Sequence, residues 1–482
     1  MLKQTHTISI NFTGGIISPG NLHTILEIAT DARVKQVRFG LRQQLLIEVP
    51  VKQIKQFENA CKEKDISCAS TPNISSSYLT SGIFVTDTWL TEGIYKDVFE
   101  MFSYTPSLKI NICDSKQTFM PFFTGHLNWI SAKQQHYWHL YIRYPKTGEL
   151  FSWPELIYTN NIGEVSNCIE SFLSGNETTI QIDHLFTQVK EKLEYLCRPI
   201  EQELEYPHFH LPYYEGFNKH DDSYWLGIYR RDEEFSVDFL KDLCNICLET
   251  KTGQLYATSW KSLIIKNIKH EHRRLWDYIL GKHNINVRHA ANELNWQVED
   301  NSEDGLVLKR HIIRYFDSAD VRTYGLCFGI RLKPGNSCFG SIILNKQENR
   351  QKSRLKGLQR YDILYTPDFS PNSGNLIPYR TDVAKEYLGP YISALCKLFY
   401  ESSHDPLQKT IQPLVVAIPE KPVHQCPHCF TVYDEITGDP AQQIPAGTLF
   451  SDLPPYYCCS VCEAPLQDFN ITMVEHNFNI PS

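Results

Sequence analysis

Four cysteines in two matched pairs carry the clearest chemistry in this sequence. Cys426 and Cys429 form one C-x2-C pair in HQCPHCFTVYDEITGDP, and Cys459 and Cys462 form the other in YYCCSVCEAP. A C-x2-C turn aims both sulfurs at one point, and two such turns facing each other close a tetrahedral thiolate site. Four soft thiolates suit iron or zinc, and a shell of four protein ligands leaves no position for substrate. Cys458 has no partner at this spacing, and His424 and His428 flank a shell that is already complete. Other candidates are weaker. Cys244 and Cys247, in CNIC, have redox-like spacing, while HFH (His208–His210) and HEH (His270–His272) could chelate from a strand but lack further ligands nearby. The sequence has no P-loop, no GxGxxG between a strand and a helix, no GxSxG and no HExxH, so flavin, nicotinamide and hydrolase chemistry have no visible site.

The chain that positions these residues has 482 residues, enough for roughly two to four domains. At 42% hydrophobic and 21% charged it reads as globular, and a net charge of -8 argues against a nucleic-acid reader. The N-terminal MLKQTHTISINF alternates like a strand and lacks the apolar run of a signal peptide. No segment has the length needed to cross a bilayer. Fifteen cysteines without an export signal then imply a reducing compartment, where thiols are core residues or metal ligands. The expectation is a soluble cytoplasmic protein, in which the NETT glycosylation pattern at Asn176 has no role.

Between the cysteine pairs, GDPAQQIPAGTLFSDLPPYY (Gly438 to Tyr457) resembles the insert of rubredoxin, with Tyr433, Phe450, Tyr457 and Phe469 at the positions of that family's small aromatic core. The resemblance spans Pro422 to Phe469. It implies a single iron on Cys426, Cys429, Cys459 and Cys462, cycling between ferric and ferrous states; structural zinc is the alternative. The family's usual glycine after each pair is Phe430 and Glu463 here, its usual tryptophan before the third ligand is Tyr457, and its usual proline after that ligand is Ser460. Those changes imply reshaped turns and an altered potential.

In front of this module, residues 402–421 form a linker, since four prolines between Ser402 and Val423 interrupt any helix. The body contains an internal repeat. The 32 residues from Ser18 align without a gap to those from Ser236, an offset of 218 residues. In each copy an alternating strand (Ile8, Ile10; Leu226, Ile228) precedes an amphipathic helix with apolar positions Leu22, Ile25, Leu26 and Ala29, or Leu240, Leu243, Cys244 and Cys247. Two strands and a second helix follow, so each copy is β-α-β-β-α and buries its open face by pairing with its twin. CNIC falls on the buried helix face, which favours a core role over thiol chemistry.

GGIISPGNL, from Gly14, and FGLRQQLLIEV, from Phe39, resemble the siroheme-dependent nitrite and sulfite reductases, themselves built from two such repeats. The resemblance implies that Arg42 and Gln43, and in the second copy Lys261 beside Trp260, face an anion or siroheme cleft. Siroheme carries eight carboxylates, and Arg38, Arg288, Lys309, Arg310 and Arg314 add possible cations; a normally solvated charge distribution is the favoured alternative. The C-x5-C and C-x3-C pairs that hold that family's four-iron cluster are missing. Cys113, Cys327, Cys338 and Cys396 are isolated.

The expected fold is therefore α+β: two ferredoxin-like half-domains (1–71 and 216–286), each followed by an α+β domain (72–215 and 287–401), then the linker and an iron module (422–482). The expected function is electron transfer on a rubredoxin-type iron, without independent catalysis, serving a nitrite or sulfite reductase-type partner and an electron donor. A siroheme reductase fed by that iron, and a non-redox zinc-ribbon interaction protein, are the alternatives. Neither nucleic acid nor membrane is an expected partner.

Overall fold

The computed structural model describes residues 5–145, 147–175, 181–333, 338–347, 359–404, 420–428, 431–433, 435, 437–439 and 442–475. Most of the linker, Asn176, Cys429 and Phe430 lie outside the described residues. The chain divides into two compact units, Met1–Leu407 and Gln408–Ser482.

In the first unit the two copies of the repeat have matching elements. Strands Thr5–Ile10 and Ser223–Ile228 precede helices Pro19–Asp31 and Val237–Glu249. Strands Gln36–Phe39 and Leu45–Pro50, or Leu255–Ala257 and Leu263–Lys269, lead to helices Ile54–Glu63 and Arg273–Lys282. The sequence dictates where the first helix starts. The Ser18 hydroxyl accepts from the Asn21 N–H at the N-terminus, and Pro19 takes the first turn, where a missing N–H costs nothing. The first helix of each copy buries its apolar stripe (Leu22, Ile25, Leu26, Ala29; Leu240, Leu243, Cys244, Cys247) in one core shared by both copies. Burial pushes the Cys244 thiol up to about 12, and Cys247 further, so both are inert hydrophobes.

The copies are also joined edge to edge. The short strand Phe235–Ser236 of the second copy adds to Gln36–Phe39 of the first, completing a four-stranded sheet. Reciprocally, Ile16–Ile17 of the first copy adds to Leu255–Ala257 of the second and completes a five-stranded sheet. Gly15 makes that entry possible: at φ 77 it sits where a Cβ would lie 2.7 Å from the Ala257 carbonyl oxygen. Each sheet thus ends on a strand from the other copy.

Two larger sheets flank this centre. The first runs Ser75–Ser76, Ile110–Cys113, Leu127–Ser131, Tyr137–Arg143, Glu155–Tyr158 and Cys197–Pro199 in spatial order, with Leu150–Ser152 paired beside Tyr137–Arg143. The second runs Trp296–Val298, Phe328–Arg331, Ile342–Lys346, Arg360–Tyr365 and Ile377–Ala384. In both, three parallel strands give way to an antiparallel one. Among the described residues no helix is long and apolar enough to cross a membrane.

The second unit has a three-stranded antiparallel sheet in which Glu420–Gln425 lies between Val432–Tyr433 and Asn470–Glu475. Tyr433, Ile444, Leu453 and Tyr457 form its buried core, with Phe450, Leu466 and Phe469 packed against them. The four aromatic positions expected to form that core do so.

Candidate functional site

The sheet and the aromatic cluster of the second unit set the height and spacing of the cysteine turns. Strand Glu420–Gln425 delivers Cys426, whose N–H donates to the Thr431 carbonyl at 2.9 Å. Tyr457 fixes the second turn from below: its ring packs against Tyr433 and Phe469, and its hydroxyl donates to Asp439 at 3.1 Å. Burial, with the Asp439 carboxylate next, pushes that phenol well up, so it remains a donor at any physiological pH. The Gln442 amide donates to the Cys458 carbonyl at 2.6 Å, pinning the strand end just before Cys459.

These supports bring Cys426, Cys459 and Cys462 together, with all three sulfurs within 4.8 Å of one another. Cys426 and Cys459 are buried against Ala464 and Phe469, whereas Cys462 is exposed. The site is therefore shielded on one side and open at one sulfur. Three converging thiolates, with a fourth cysteine, Cys429, three residues beyond Cys426 and outside the described residues, fit a rubredoxin-type metal.

The second turn passes through a left-handed residue that is not glycine. Glu463 has φ 59, and its N–H closes on the Cys459 carbonyl at 2.8 Å, while the Cys459 N–H donates to Ala464 at 2.7 Å. A side chain in this left-handed conformation costs about 1 kcal/mol. Glu463→Gly is therefore expected to stabilise the module by up to about 1 kcal/mol, read as a higher guanidinium midpoint for metal release from the full chain. A midpoint equal to the parent's would mean that the turn carries no strain.

In the body, Arg42, Gln43 and Lys261 are each engaged by protein groups. Arg42 donates to the Asn73 carbonyl (2.9 and 3.1 Å), the Ile110 carbonyl and Asn111 Oδ1 (2.9 Å). Burial, and next the charge of Arg143, lowers its guanidinium to about 9. Gln43, at φ 62, accepts from the Ser76 N–H and donates to the carbonyls of Ser76 and Ala257, so it clamps both copies of the repeat. Lys261, at φ 56, lies 2.7 Å from Glu233, which is also 3.4 Å from Lys309. Of the further cations, Arg38 pairs with Glu48 and Glu234, Arg310 with Asp232 and Glu303, and Arg288 donates to the Phe217 carbonyl.

Arg42 lines a cavity of about 380 Å3 that neither Gln43 nor Lys261 reaches. Its two cations, Arg42 and Lys109, face two carboxylates, Glu299 and Asp300. Such a balanced lining is a poor match for a group carrying eight carboxylates. Sequence reasoning gave no sign of Asn73, Asn111 or Glu233, the partners that occupy the expected cations. They lie 31, 69 and 28 residues from the groups they hold and belong to no motif.

Comparison with known proteins places both units. The Rubredoxin family model matches residues 423–469. Rubredoxin-2 of Chlorobaculum tepidum is 44% identical over 45 residues, which are 9% of this chain and 86% of that protein. High molecular weight rubredoxin of Moorella thermoacetica is 46% identical over 43 residues, 9% of this chain but only 19% of that protein's length. The structure of the NirA protein of Mycobacterium tuberculosis superposes with a TM-score of 0.63 and 13% identity, covering 84% of this chain and 82% of NirA. A span that long includes most of the body, which therefore shares the NirA fold.

Proposed function

Because this chain belongs to the rubredoxin family through residues 423–469, we propose that it is an electron carrier whose thiolates Cys426, Cys429, Cys459 and Cys462 hold a single iron. Bound there, iron supplies a one-electron ferric/ferrous couple in which no bond to substrate is made. The observation that carries this reading is the convergence of three sulfurs, two buried and one exposed. Buried Cys426 and Cys459, with Phe469 and Ala464 against them, keep water from the inner side of the site. Exposed Cys462, next to Val461 at 69% exposure, presents the outer side to a docking protein. Apolar contact around a solvent-facing ligand shortens the path for outer-sphere transfer and needs no channel.

In this reading the module (422–482) is tethered by 402–421 to a body made of 1–71, 72–215, 216–286 and 287–401, and works in the cytoplasm, where thiols stay reduced. The body holds the module at high local concentration near its partner. The NirA fold, with GGIISPGNL and FGLRQQLLIEV, supports a partner of the nitrite or sulfite reductase class. The body itself has no assigned catalytic group.

Protein purified from its native host tests this by metal analysis and visible spectra before and after dithionite. One iron per chain and a red colour that bleaches on reduction are expected. One zinc and no colour would overturn electron transfer and leave an interaction module. Failure of the reduced protein to pass electrons to such a reductase would overturn the partner class alone.

A further inference from the structure

A second cavity, of about 600 Å3, opens between the two larger sheets of the body. Its charge differs from that of the cavity at Arg42. Among its described lining residues, Arg143, Arg331, Lys333 and Lys346 face one carboxylate, Glu149. Among the described residues, no carboxylate lies within ion-pairing distance of any of the four cations.

Among the described residues, the two arginines are held by neutral carbonyls. Arg143, at the end of strand Tyr137–Arg143, donates from Nε to the Gly125 carbonyl (3.1 Å) and from Nη2 to the Thr124 carbonyl (3.2 Å). Arg331, at the end of strand Phe328–Arg331, donates from Nε to the Cys338 carbonyl (2.9 Å). Both guanidiniums lie near the ring of Phe339, at 5.4 and 5.9 Å from its centroid. Neutral carbonyls orient a guanidinium but do not cancel its charge. Burial, then the neighbouring charge of Arg331, lowers Arg143 to about 10; burial lowers Arg331 as well. Two like charges desolvated over the same Phe339 ring destabilise the empty cavity, and an anion placed between them would offset that cost.

We propose that this cavity is a binding site for a small polyanion, a molecule with at least two phosphate or carboxylate groups, gripped by Arg143 and Arg331 at its floor and by Lys333 and Lys346 at its rim. A cavity of this size admits a small molecule rather than a macromolecule. None of its described lining residues is a cysteine or histidine, so a haem-type iron would find no axial ligand among them. The site goes beyond the electron-carrier reading and does not depend on the iron.

Pyrophosphate and citrate serve as probes on the full chain, by calorimetric titration at constant ionic strength. Saturable one-to-one binding of either is expected, and whichever binds tighter assigns the phosphate or carboxylate class. Lys333→Gln with Lys346→Gln, both at the rim where folding is not at stake, is expected to weaken binding at least tenfold. Arg331→Gln is expected to abolish it. The proposal is overturned if neither probe binds at millimolar concentration, if the rim variant binds like the parent, or if the native protein carries a tetrapyrrole in this cavity. Because the readout is heat of binding, a colourless zinc form would leave this result standing.

Discussion

Cys459→Ala in the full chain is expected to release the metal and unfold the C-terminal module while leaving the body folded. Cys459 is buried in a small cluster with Cys426 and Ala464. Among the described residues, the module's other core is Tyr433, Ile444, Leu453 and Tyr457 with three partly buried neighbours. Modules this small rarely hold together by apolar burial alone and depend on a metal or disulfide staple. Metal binding in such modules contributes on the order of 10 kcal/mol to folding. Metal content should fall below about a tenth of an equivalent per chain, and protease should remove the module and spare the body. A variant that keeps its metal and resists protease like the parent would show that Cys459 is not a ligand.

Glu233→Gln should have the largest effect on the body, about 3–5 kcal/mol of lost stability. The Glu233 carboxylate is buried between Lys261 and Lys309, all three 3% exposed, and Lys309 also donates to the Tyr229 hydroxyl at 2.8 Å. Burial alone would push the carboxyl up, but Lys261 and then Lys309 outweigh it and hold it below its usual 4.5. The sign follows. A carboxyl held down in the folded state adds stability above its unfolded pKa, and that stability is lost as pH falls through the folded value. The parent should therefore lose stability progressively below about pH 4.5, and the variant should lose less there because that contribution is already gone. Lys261 works in the opposite direction. Burial lowers it, but Glu233 and Asp300 hold it above 10.5, so its contribution is full below that pH and is lost only in strong base. Thermal melts of the full chain from pH 4 to 8 would show the loss, about 10 °C at neutral pH. Equal melting temperatures would mean that the two ammoniums find other partners.

The local pattern made the repeat legible. Apolar residues at helical spacing identify the buried stripes of Pro19–Asp31 and Val237–Glu249, because a helix face is encoded within a few turns. The convergence of Cys426, Cys459 and Cys462 is legible for a similar reason, since C-x2-C spacing is itself the local geometry. Charge was harder to read. Arg42 and Lys261 have the right type for an anion site, yet their partners Asn73, Ile110 and Glu233 are brought to them only by the fold. The reverse holds for Arg143 and Arg331, single arginines on separate strands that carry no motif and become a pair only when the two sheets meet. Strands of two residues, such as Ile16–Ile17 and Phe235–Ser236, are too short to show alternation, so the exchange of edges between copies left no trace in the pattern.

That exchange sets a schedule for synthesis. Strand Gln36–Phe39 leaves the ribosome with one edge open, and the segment that covers it, Phe235–Ser236, lies about 200 residues further along the chain. At ordinary elongation rates the wait is roughly 10–40 s. Throughout it the first copy is a nascent sheet with an unsatisfied border, a template for pairing with a neighbouring polysome's chain. Chaperone dependence of this protein should therefore concentrate in the first half of translation. A truncation that ends before Phe235 should aggregate even though every residue of the first copy is present.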